Sequence, residues 1–194
     1  MTAGSMHADR LLLRRFDAGD ISHLIELDAD PEVMRYLTGG IATERSAIEQ
    51  EILPLFIDAH RNDPPFGFWA AEEDGRFVGW LSLRPVPDTG SVASLGYRFM
   101  RRAWGRGLAT EGAHLLIDAG FERSSIKRIV ATTYEENRPS IRVLERLGMR
   151  LKRRFRYSAA DLAGSETSRP SKELWPGDDL EFALDRQDWI SSRA

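Results

Sequence analysis

The sequence predicts one domain of the α/β or α+β class, a sheet covered by helices. The chain has 194 residues, more than one typical domain of about 150 residues but fewer than two. Its composition, 42% hydrophobic and 29% charged, is typical of soluble globular proteins. Strand and helix patterns follow each other as strand, two helices, three strands, helix, strand, helix and two strands, an order that favours a meander with one or two crossovers.

The N-terminal third predicts a tail, a strand and two helices. Residues 1–9 lack an apolar run and are expected to form a loose tail. Residues 10–16, RLLLRRF, predict a strand, and Asp20 is placed to cap a helix that begins at Ile21. A second helix, up to residue 60, carries apolar residues at helical spacing, and Pro54 predicts a kink or break within it.

The rest of the chain predicts six strands and two helices, with one long polar loop at Ser158–Asp179. The pair Asp74-Gly75 between two strand patterns indicates a hairpin. Pro139 and Gly148 mark the beginning and end of the last helix. The predicted elements are strands at 66–72, 77–83 and 92–100, a helix at 108–121, a buried strand at 127–133, a helix from 139 to about 147, and strands at 149–157 and 180–184.

The composition excludes several classes of chemistry. The chain has no cysteine, which excludes a disulfide scaffold, a thiol nucleophile, a thiolate zinc site and an iron–sulfur cluster. No two of its four histidines have metal-ligand spacing, so no metal is expected. The formal net charge of −3 argues against general nucleic-acid binding. No apolar stretch is long enough to span a bilayer, and a cytoplasmic protein is expected.

Residues 101–110, RRAWGRGLAT, carry the clearest functional signal, because they lie between a predicted strand and a predicted helix. Gly105 and Gly107 allow backbone conformations and close ligand approach that other residues prevent. The following helix would present unpaired N–H groups and the positive end of its dipole, an arrangement that binds phosphate. Nearby arginines are expected to add charge toward phosphate oxygens, namely Arg98, Arg101, Arg102 and Arg106.

Three phosphate-binding motifs and one structural explanation compete for this segment. A P-loop is excluded because the segment lacks the required Lys-Ser/Thr pair. A dinucleotide-binding fingerprint is disfavoured because Thr110 replaces its third glycine and the segment comes late in the chain. The pattern R/Q-x-x-G-x-G/A matches at Arg102, Gly105 and Gly107. A glycine-rich turn with a purely structural role stays open as an alternative.

At this point the sequence resembles the GNAT superfamily of acetyl-CoA-dependent N-acetyltransferases. The stretch from Arg102 to Glu111 resembles the loop that binds the pyrophosphate of acetyl-CoA in that family. Four further segments, in matching order, resemble the RimJ/RimL-like branch, which acetylates protein N-termini: Leu95-Gly96-Tyr97, Asn137 to Ser140, Glu145 to Met149, and Phe182 to Leu184 with Trp189. The resemblance extends from about residue 10 to residue 189.

The resemblance implies a mixed, mostly antiparallel twisted sheet of about seven strands with about four helices, over a domain of residues 10–194. The sheet would splay open between the strand that ends at Met100 and the strand at 127–133. The pantetheine arm would bind there to backbone near Phe99 and Met100, and Asn137 would contact it. Ser140 would lie near the sulfur and donate a proton to the leaving thiolate. The pyrophosphate would bind N–H groups of Arg102, Gly105, Arg106, Gly107, Leu108 and Ala109.

The expected reaction is direct acetyl transfer from the thioester to a primary amine, either a peptide or protein N-terminus or a small amine. The general base stays unassigned, because Ser94 stands where relatives often carry a carboxylate. Four residues are candidates by coarse position, and a water relay fits equally: Glu72, Glu73, Tyr134 and Asp161. The first two helices are expected to form one wall of the acceptor groove.

Two other functions stay open. One is a non-catalytic acyl-CoA-binding regulatory module, suggested by Ser94. The other is a ribosome- or RNA-associated protein, suggested by basic residues on one strand face: Arg150, Lys152, Arg154 and Arg156. A solvated face is the favoured explanation of that strand, and contact with the 3′-phosphate of CoA is a further alternative. The oligomeric state is not predicted, a homodimer being one alternative.

Overall fold

The computed structural model describes residues 4–59, 64–156 and 177–193. Within them, eight strands form one mixed, mostly antiparallel sheet in the order β1-β2-β3-β4-β5-β6-β8-β7. The predicted mixed, mostly antiparallel α/β sheet is therefore confirmed, with one strand more than expected. The strands are β1 (Met6–His7), β2 (Leu12–Arg14), β3 (Gly67–Glu73), β4 (Arg76–Pro85), β5 (Val92–Phe99), β6 (Arg128–Tyr134), β7 (Arg150–Phe155) and β8 (Asp179–Asp185).

Helices cover both faces of the sheet. On one face, Leu24, Ile48 and Phe56 of the N-terminal helices pack with sheet residues in one core. On the other face, Leu116 and Leu144 pack in a second core. The helices are α1 (Ile21–Ala29), α2 (Pro31–Thr38), α3 (Arg45–Ala47) and α4 (Leu53–Asp58) on the first face, and α5 (Leu108–Arg123), α6 (Arg138–Arg146) and α7 (Arg186–Ser191) on the second. No helix among the described residues is long and apolar enough to cross a bilayer.

The sheet opens between β5 and β6, as the resemblance implied. These two parallel strands are paired only over Val92–Ser94 and Arg128–Val130. Beyond that point β5 stays paired with β4 up to Phe99, and β6 stays paired with β8 up to Tyr134. Past Ser94 the two strands are therefore not paired with each other, and this opening positions the candidate site.

The predicted hairpin is confirmed between β3 and β4. Asp74 and Gly75 both have positive φ, 50° and 72°, the pair of left-handed conformations that a two-residue hairpin turn requires. Pro54 also acts as predicted, because the second helical segment is interrupted there. A π-helical turn at Ile48–Ile52 separates α3 from α4, and Pro54, which has no N–H to donate, lies at the start of α4.

Several sequence-based expectations are corrected by long-range contacts. Met6 and His7 were expected in a loose tail, but they pair with β2 as a short edge strand. Asp20 makes no cap bond to α1, because its carboxylate accepts bonds from Arg14 and the Asp17 backbone instead. The terminal helix α7 was not predicted as a helix. The long polar loop at 158–179 lies largely outside the described residues, which resume at residue 177.

Candidate acyl-CoA site

A cavity of about 450 Å³ opens where β5 and β6 diverge, and we call it the cleft. Its walls come from the end of β5, the loop into α5, the first turns of α5 and α6, and α2. Seven residues that the sequence analysis assigned to cofactor binding line it: Phe99, Gly105, Gly107, Leu108, Ala109, Asn137 and Ser140. The fold thus brings together in space two motifs that lie some 30 residues apart in the chain.

The end of β5 offers backbone groups to the cleft. Met100 N–H donates to Val78 O at 2.9 Å, so the alternate residues Met100 and Arg98 direct their peptide groups toward β4. By the same alternation, the peptide groups of Tyr97 and Phe99 point toward the open side, where the Phe99 C=O already accepts the indole N–H of Trp104 at 2.7 Å. Met100, the other residue predicted to offer its backbone to the cosubstrate, has both peptide groups occupied, because its N–H donates to Val78 O and its C=O accepts Ala103 N–H at 2.9 Å. Its side chain is buried in the opposite core.

Two glycines shape the loop before α5. Gly105 and Gly107 have φ values of 71° and 81°, a left-handed conformation that side chains with a Cβ adopt only with strain. A Cβ at Gly105 would meet no protein atom within 4 Å, so packing within the chain does not explain a glycine there. The open space above Gly105 is where a ligand can approach the backbone closely.

The first turn of α5 supplies N–H donors. The first intrahelical bond runs from Glu111 N–H to Gly107 O at 3.0 Å, so the N–H groups of Leu108, Ala109 and Thr110 have no partner within the helix. Gly107 has no side chain that could cap them. These donors and the positive end of the helix dipole suit an anion such as a pyrophosphate. Thr110, which also lines the cleft, has a buried hydroxyl with no partner among the described residues.

The four arginines that were predicted to add charge toward a phosphate form ion pairs within the protein, and Arg102 also donates to Phe77 O at 2.9 Å. Arg98 lines the cleft, whereas Arg101, Arg102 and Arg106 do not. The ion pairs tie β5 and the loop to α1, to Asp30 at the start of α2, and to β3. The pairs are Arg98–Asp28 at 2.5 Å, Arg101–Asp30 at 3.4 Å, Arg102–Glu26 at 2.8 Å and Arg106–Glu73 at 2.7 Å.

Asn137 and Ser140 meet at the start of α6. The Asn137 side-chain oxygen accepts the backbone N–H of Ser140 at 3.2 Å, so Asn137 is the helix N-cap and still lines the cleft. The Ser140 hydroxyl lies 2.9 Å from the phenol oxygen of Tyr97. Burial raises the pKa of Tyr97 to about 12, against the opposing effect of this hydrogen bond. Tyr97 was missed as a site residue, although its alternation with Leu95 and Phe99 on one face of the strand placed it on this side.

The candidate bases do not gather at the cleft. Glu72 binds Arg14 at 2.6 Å, Glu73 binds Arg106, and the Tyr134 hydroxyl accepts Gly177 N–H at 2.9 Å. None of these three lines the cleft, and Asp161 lies outside the described residues. Among the described lining residues, the one carboxylate is Glu32, at the start of α2, with a half-exposed side chain 3.7 Å from Arg35. Glu32 was missed because its position opposite β5 is set by the packing of α2.

The basic strand β7 lies away from the cleft. Its predicted period-two face is disturbed by an irregularity between Leu151 and Arg153. Most of its cations are paired with carboxylates of neighbouring segments, which accords with the favoured solvated face. The pairs are Lys152–Asp185, Arg153–Glu181, Arg154–Glu135 and, just past the strand, Arg156–Asp178.

Two arginines of α6, Arg142 and Arg146, line the cleft, and their spacing of four residues places them on one helix face. No group of three or more potential metal ligands occurs among the described residues.

Comparison with solved structures supports the fold assignment. Microcin C7 self-immunity acetyltransferase MccE, solved with acetyl-CoA and AMP, aligns with a TM-score of 0.73 at 15% identity, over 95% of this chain and 97% of that one. RimL, a ribosomal L7/L12 α-N-protein acetyltransferase solved with coenzyme A, aligns with a TM-score of 0.72 at 16% identity, over 93% and 97%. At these identities the likeness shows a shared fold.

Sequence comparison identifies the family. An FsC-acetyl coenzyme A-N(2)-transacetylase from Aspergillus fumigatus is 31% identical over an aligned segment of 153 residues. That segment covers 75% of this chain and 64% of the Aspergillus protein, so this chain spans less than two thirds of that relative. The uncharacterized N-acetyltransferase p20 of Bacillus licheniformis is 31% identical over 74% of this chain and 80% of its own length. The family model described as acetyltransferase (GNAT) domain matches residues 10–150. The chain therefore belongs to the GNAT family of N-acetyltransferases.

Proposed function

We propose that this protein transfers the acetyl group of acetyl-CoA directly to a primary amine, within the RimJ/RimL-like branch of the family and in the cytoplasm. The observation that carries the proposal is the cleft, which joins the open edge of β5 to the unpaired N–H groups at the start of α5. An extended arm that ends in a pyrophosphate needs these two features side by side. The acetyl-CoA named with MccE and the coenzyme A named with RimL are ligands of that kind.

The residues present fit the parts of the cosubstrate. The peptide groups of Tyr97 and the N–H of Phe99 face the open side of β5 and can pair with the amides of a pantetheine arm, whereas the Phe99 C=O already accepts the Trp104 indole N–H. Gly105 and Gly107 let the backbone approach a pyrophosphate, and the first-turn N–H groups of α5 can bind its oxygens. Arg142 and Arg146 lie along α6 in the same cleft and can balance phosphate charge. Asn137 holds the first turn of α6 in place through its cap bond.

The chemical step is the replacement of a C–S bond by a C–N bond. The amine nitrogen attacks the thioester carbonyl carbon and loses one proton, and the sulfur leaves and gains one, so the overall proton count balances. Ser140 is the group we assign to the sulfur, as a hydrogen-bond and proton donor. Since the chain has no cysteine, no cysteine acyl-enzyme can form, which is in keeping with direct transfer from the thioester to the amine.

The acceptor must reach the cleft as a neutral amine. For an α-amino group with a pKa near 8, deprotonation at pH 7 costs about 1.4 kcal/mol, whereas a lysine-type amine costs about 4–5 kcal/mol. Deprotonation of a peptide or protein N-terminus therefore needs a weaker general base than deprotonation of a lysine-type amine. This suits a cleft in which the described lining residues include one carboxylate, the exposed Glu32. We propose that Glu32 attracts the acceptor amine and receives its proton, directly or through water.

An acceptor screen tests this function. The purified protein is mixed with acetyl-CoA and with peptides that carry either a free or a blocked N-terminus, alongside small amines. Because the chain has no cysteine, a thiol reagent detects released CoA without background from the enzyme. We expect CoA release only with a free amine, and a matching acetylated product by mass spectrometry.

Two outcomes would reject the proposal. Tight acetyl-CoA binding without turnover across the whole panel would favour the non-catalytic acyl-CoA-binding module. No binding at millimolar acetyl-CoA would remove both functions. S-acetylpantetheine, which lacks the pyrophosphate, serves as the matched acetyl donor. We expect its KM to be much higher than that of acetyl-CoA.

A further inference from the structure

Tyr97 and Ser140 form a hydroxyl pair inside the cleft. Tyr97 lies on β5 and Ser140 in the first turn of α6, and both residues line the cleft. The phenol oxygen is 2.9 Å from the Ser140 hydroxyl oxygen and 3.3 Å from the Ser140 carbonyl oxygen. The shorter of the two contacts joins the two hydroxyl groups, and it spans 43 residues of sequence.

The rest of the structure fixes the Ser140 backbone but leaves its hydroxyl to Tyr97. The Ser140 N–H donates to Asn137 Oδ1, which fixes the helix start. A serine hydroxyl has one hydrogen and two acceptor lone pairs, and it rotates to suit its partners. When the phenol donates to the serine oxygen, the serine hydrogen remains free to be donated elsewhere. Because Ser140 lines the cleft, its hydroxyl hydrogen can be donated to a group bound there.

We propose that Tyr97 is a positioning residue, whose phenol donates to the Ser140 hydroxyl oxygen and turns the serine hydrogen toward the sulfur that leaves the thioester. This inference rests on the proposed function, in which Ser140 serves the leaving sulfur. Tyr97 forms no bond to the reacting atoms, and it neither gains nor loses a proton over the cycle.

The surroundings of Tyr97 suit a permanent donor. The ring is partly buried against the core between the sheet and the α5–α6 face, and burial raises the pKa of the phenol to about 12. The phenol thus keeps its proton throughout the pH range in which such an enzyme can be assayed. A donor that stays protonated over this range holds its acceptor in the same orientation across it.

The test compares Tyr97→Phe, Ser140→Ala and the double variant in the full chain. Tyr97→Phe removes one hydroxyl, and we expect kcat to fall about tenfold, the equivalent of one lost hydrogen bond. Ser140→Ala should lower kcat by about a hundredfold, as expected for loss of a proton donor. The double variant should match Ser140→Ala, because Tyr97 has no effect once its acceptor is gone. The Kd of acetyl-CoA, measured by calorimetry, should change less than about twofold in Tyr97→Phe, since the phenol contacts Ser140 and not the cosubstrate.

The pH profile of kcat separates positioning from proton supply. If Tyr97 only positions Ser140, the profile of Tyr97→Phe keeps the shape of the wild-type profile and is lower at every pH. A change in its alkaline limb would mean that the phenol itself supplies a proton, and would overturn the inference.

The remaining outcomes also decide between explanations. Three results would overturn the positioning role while the proposed function stands. The losses in kcat could multiply in the double variant, kcat could be unchanged in Tyr97→Phe, or the defect of Tyr97→Phe could appear in the Kd of acetyl-CoA. A wild-type protein without any acetyl transfer, or full kcat in Ser140→Ala, would instead refute the assigned role of Ser140 and the inference that rests on it.

Discussion

Replacing Gly105 by alanine tests whether the loop before α5 binds a pyrophosphate. Gly105 has a φ of 71°, and an added Cβ would meet no protein atom within 4 Å. In the free protein the substitution therefore introduces backbone strain without a steric clash. In the complex the added methyl group would stand where the ligand approaches the loop.

The loss of protein stability and the loss of acetyl-CoA binding caused by Gly105→Ala differ in size. The left-handed conformation costs alanine about 1–2 kcal/mol, and the stiffer unfolded chain returns about 0.4–1 kcal/mol. The net loss of stability is about 1 kcal/mol, which lowers the thermal midpoint by about 2–4 °C in a chain of this size. A blocked pyrophosphate loses charge-assisted hydrogen bonds worth about 1.5–3 kcal/mol. We therefore expect the Kd of acetyl-CoA to rise at least about tenfold.

Gly75→Ala is the matched control. Gly75 has a φ of 72°, and its added Cβ would also meet no protein atom within 4 Å, but it lies in the β3–β4 hairpin turn, outside the cleft lining. We expect the same loss in the thermal midpoint and an unchanged Kd for acetyl-CoA. Calorimetric titration with acetyl-CoA and with S-acetylpantetheine completes the assay, because only the first should respond to Gly105→Ala. Equal effects of the two variants, or no effect of Gly105→Ala on acetyl-CoA binding, would refute the assignment of the loop.

Two further predictions concern charged groups. Burial raises the pKa of Asp20, but the hydrogen bonds from Arg14, the Asp17 backbone and His23 together outweigh it and hold that pKa below the usual value. Because the folded-state pKa is depressed, the stabilisation is present above the unfolded-state pKa of about 3.9 and is lost as the pH falls below it. Asp20→Asn should therefore cost about 2 kcal/mol in urea unfolding at pH 7, and a cost that does not shrink as the pH falls below about 3.9 would contradict this reasoning. Glu32→Gln should lower kcat/KM for amine acceptors about tenfold while the Kd of acetyl-CoA stays constant, and an unchanged kcat/KM in the CoA-release assay would remove Glu32 from the acceptor site.

Local sequence patterns predicted most of the elements. The Asp74-Gly75 turn, the interruption at Pro54 and the apolar alternation along β5 depend on backbone preferences and side-chain periods that a short segment contains in full. The same holds for the glycine loop before α5, where residue type and position between strand and helix define the conformation. The partners of charged side chains were not predicted. Arg106 and Glu73, for example, are 33 residues apart, and nothing local to either residue indicates the pair.

By itself, the sequence determined the class of fold, the family resemblance and the positions of the glycine loop before α5, Asn137 and Ser140. Tertiary structure alone decided which of those residues share the cleft and what their neighbours are. In the folded chain the loop arginines pair with carboxylates, and Met100 does not line the cleft. Tyr97 contacts Ser140, and Glu32 lines the cleft. The physical reason is that backbone conformation follows from local sterics, whereas a side chain's partner depends on how distant strands and helices pack. In this chain that packing is the divergence of β5 from β6, which begins after only three paired residues.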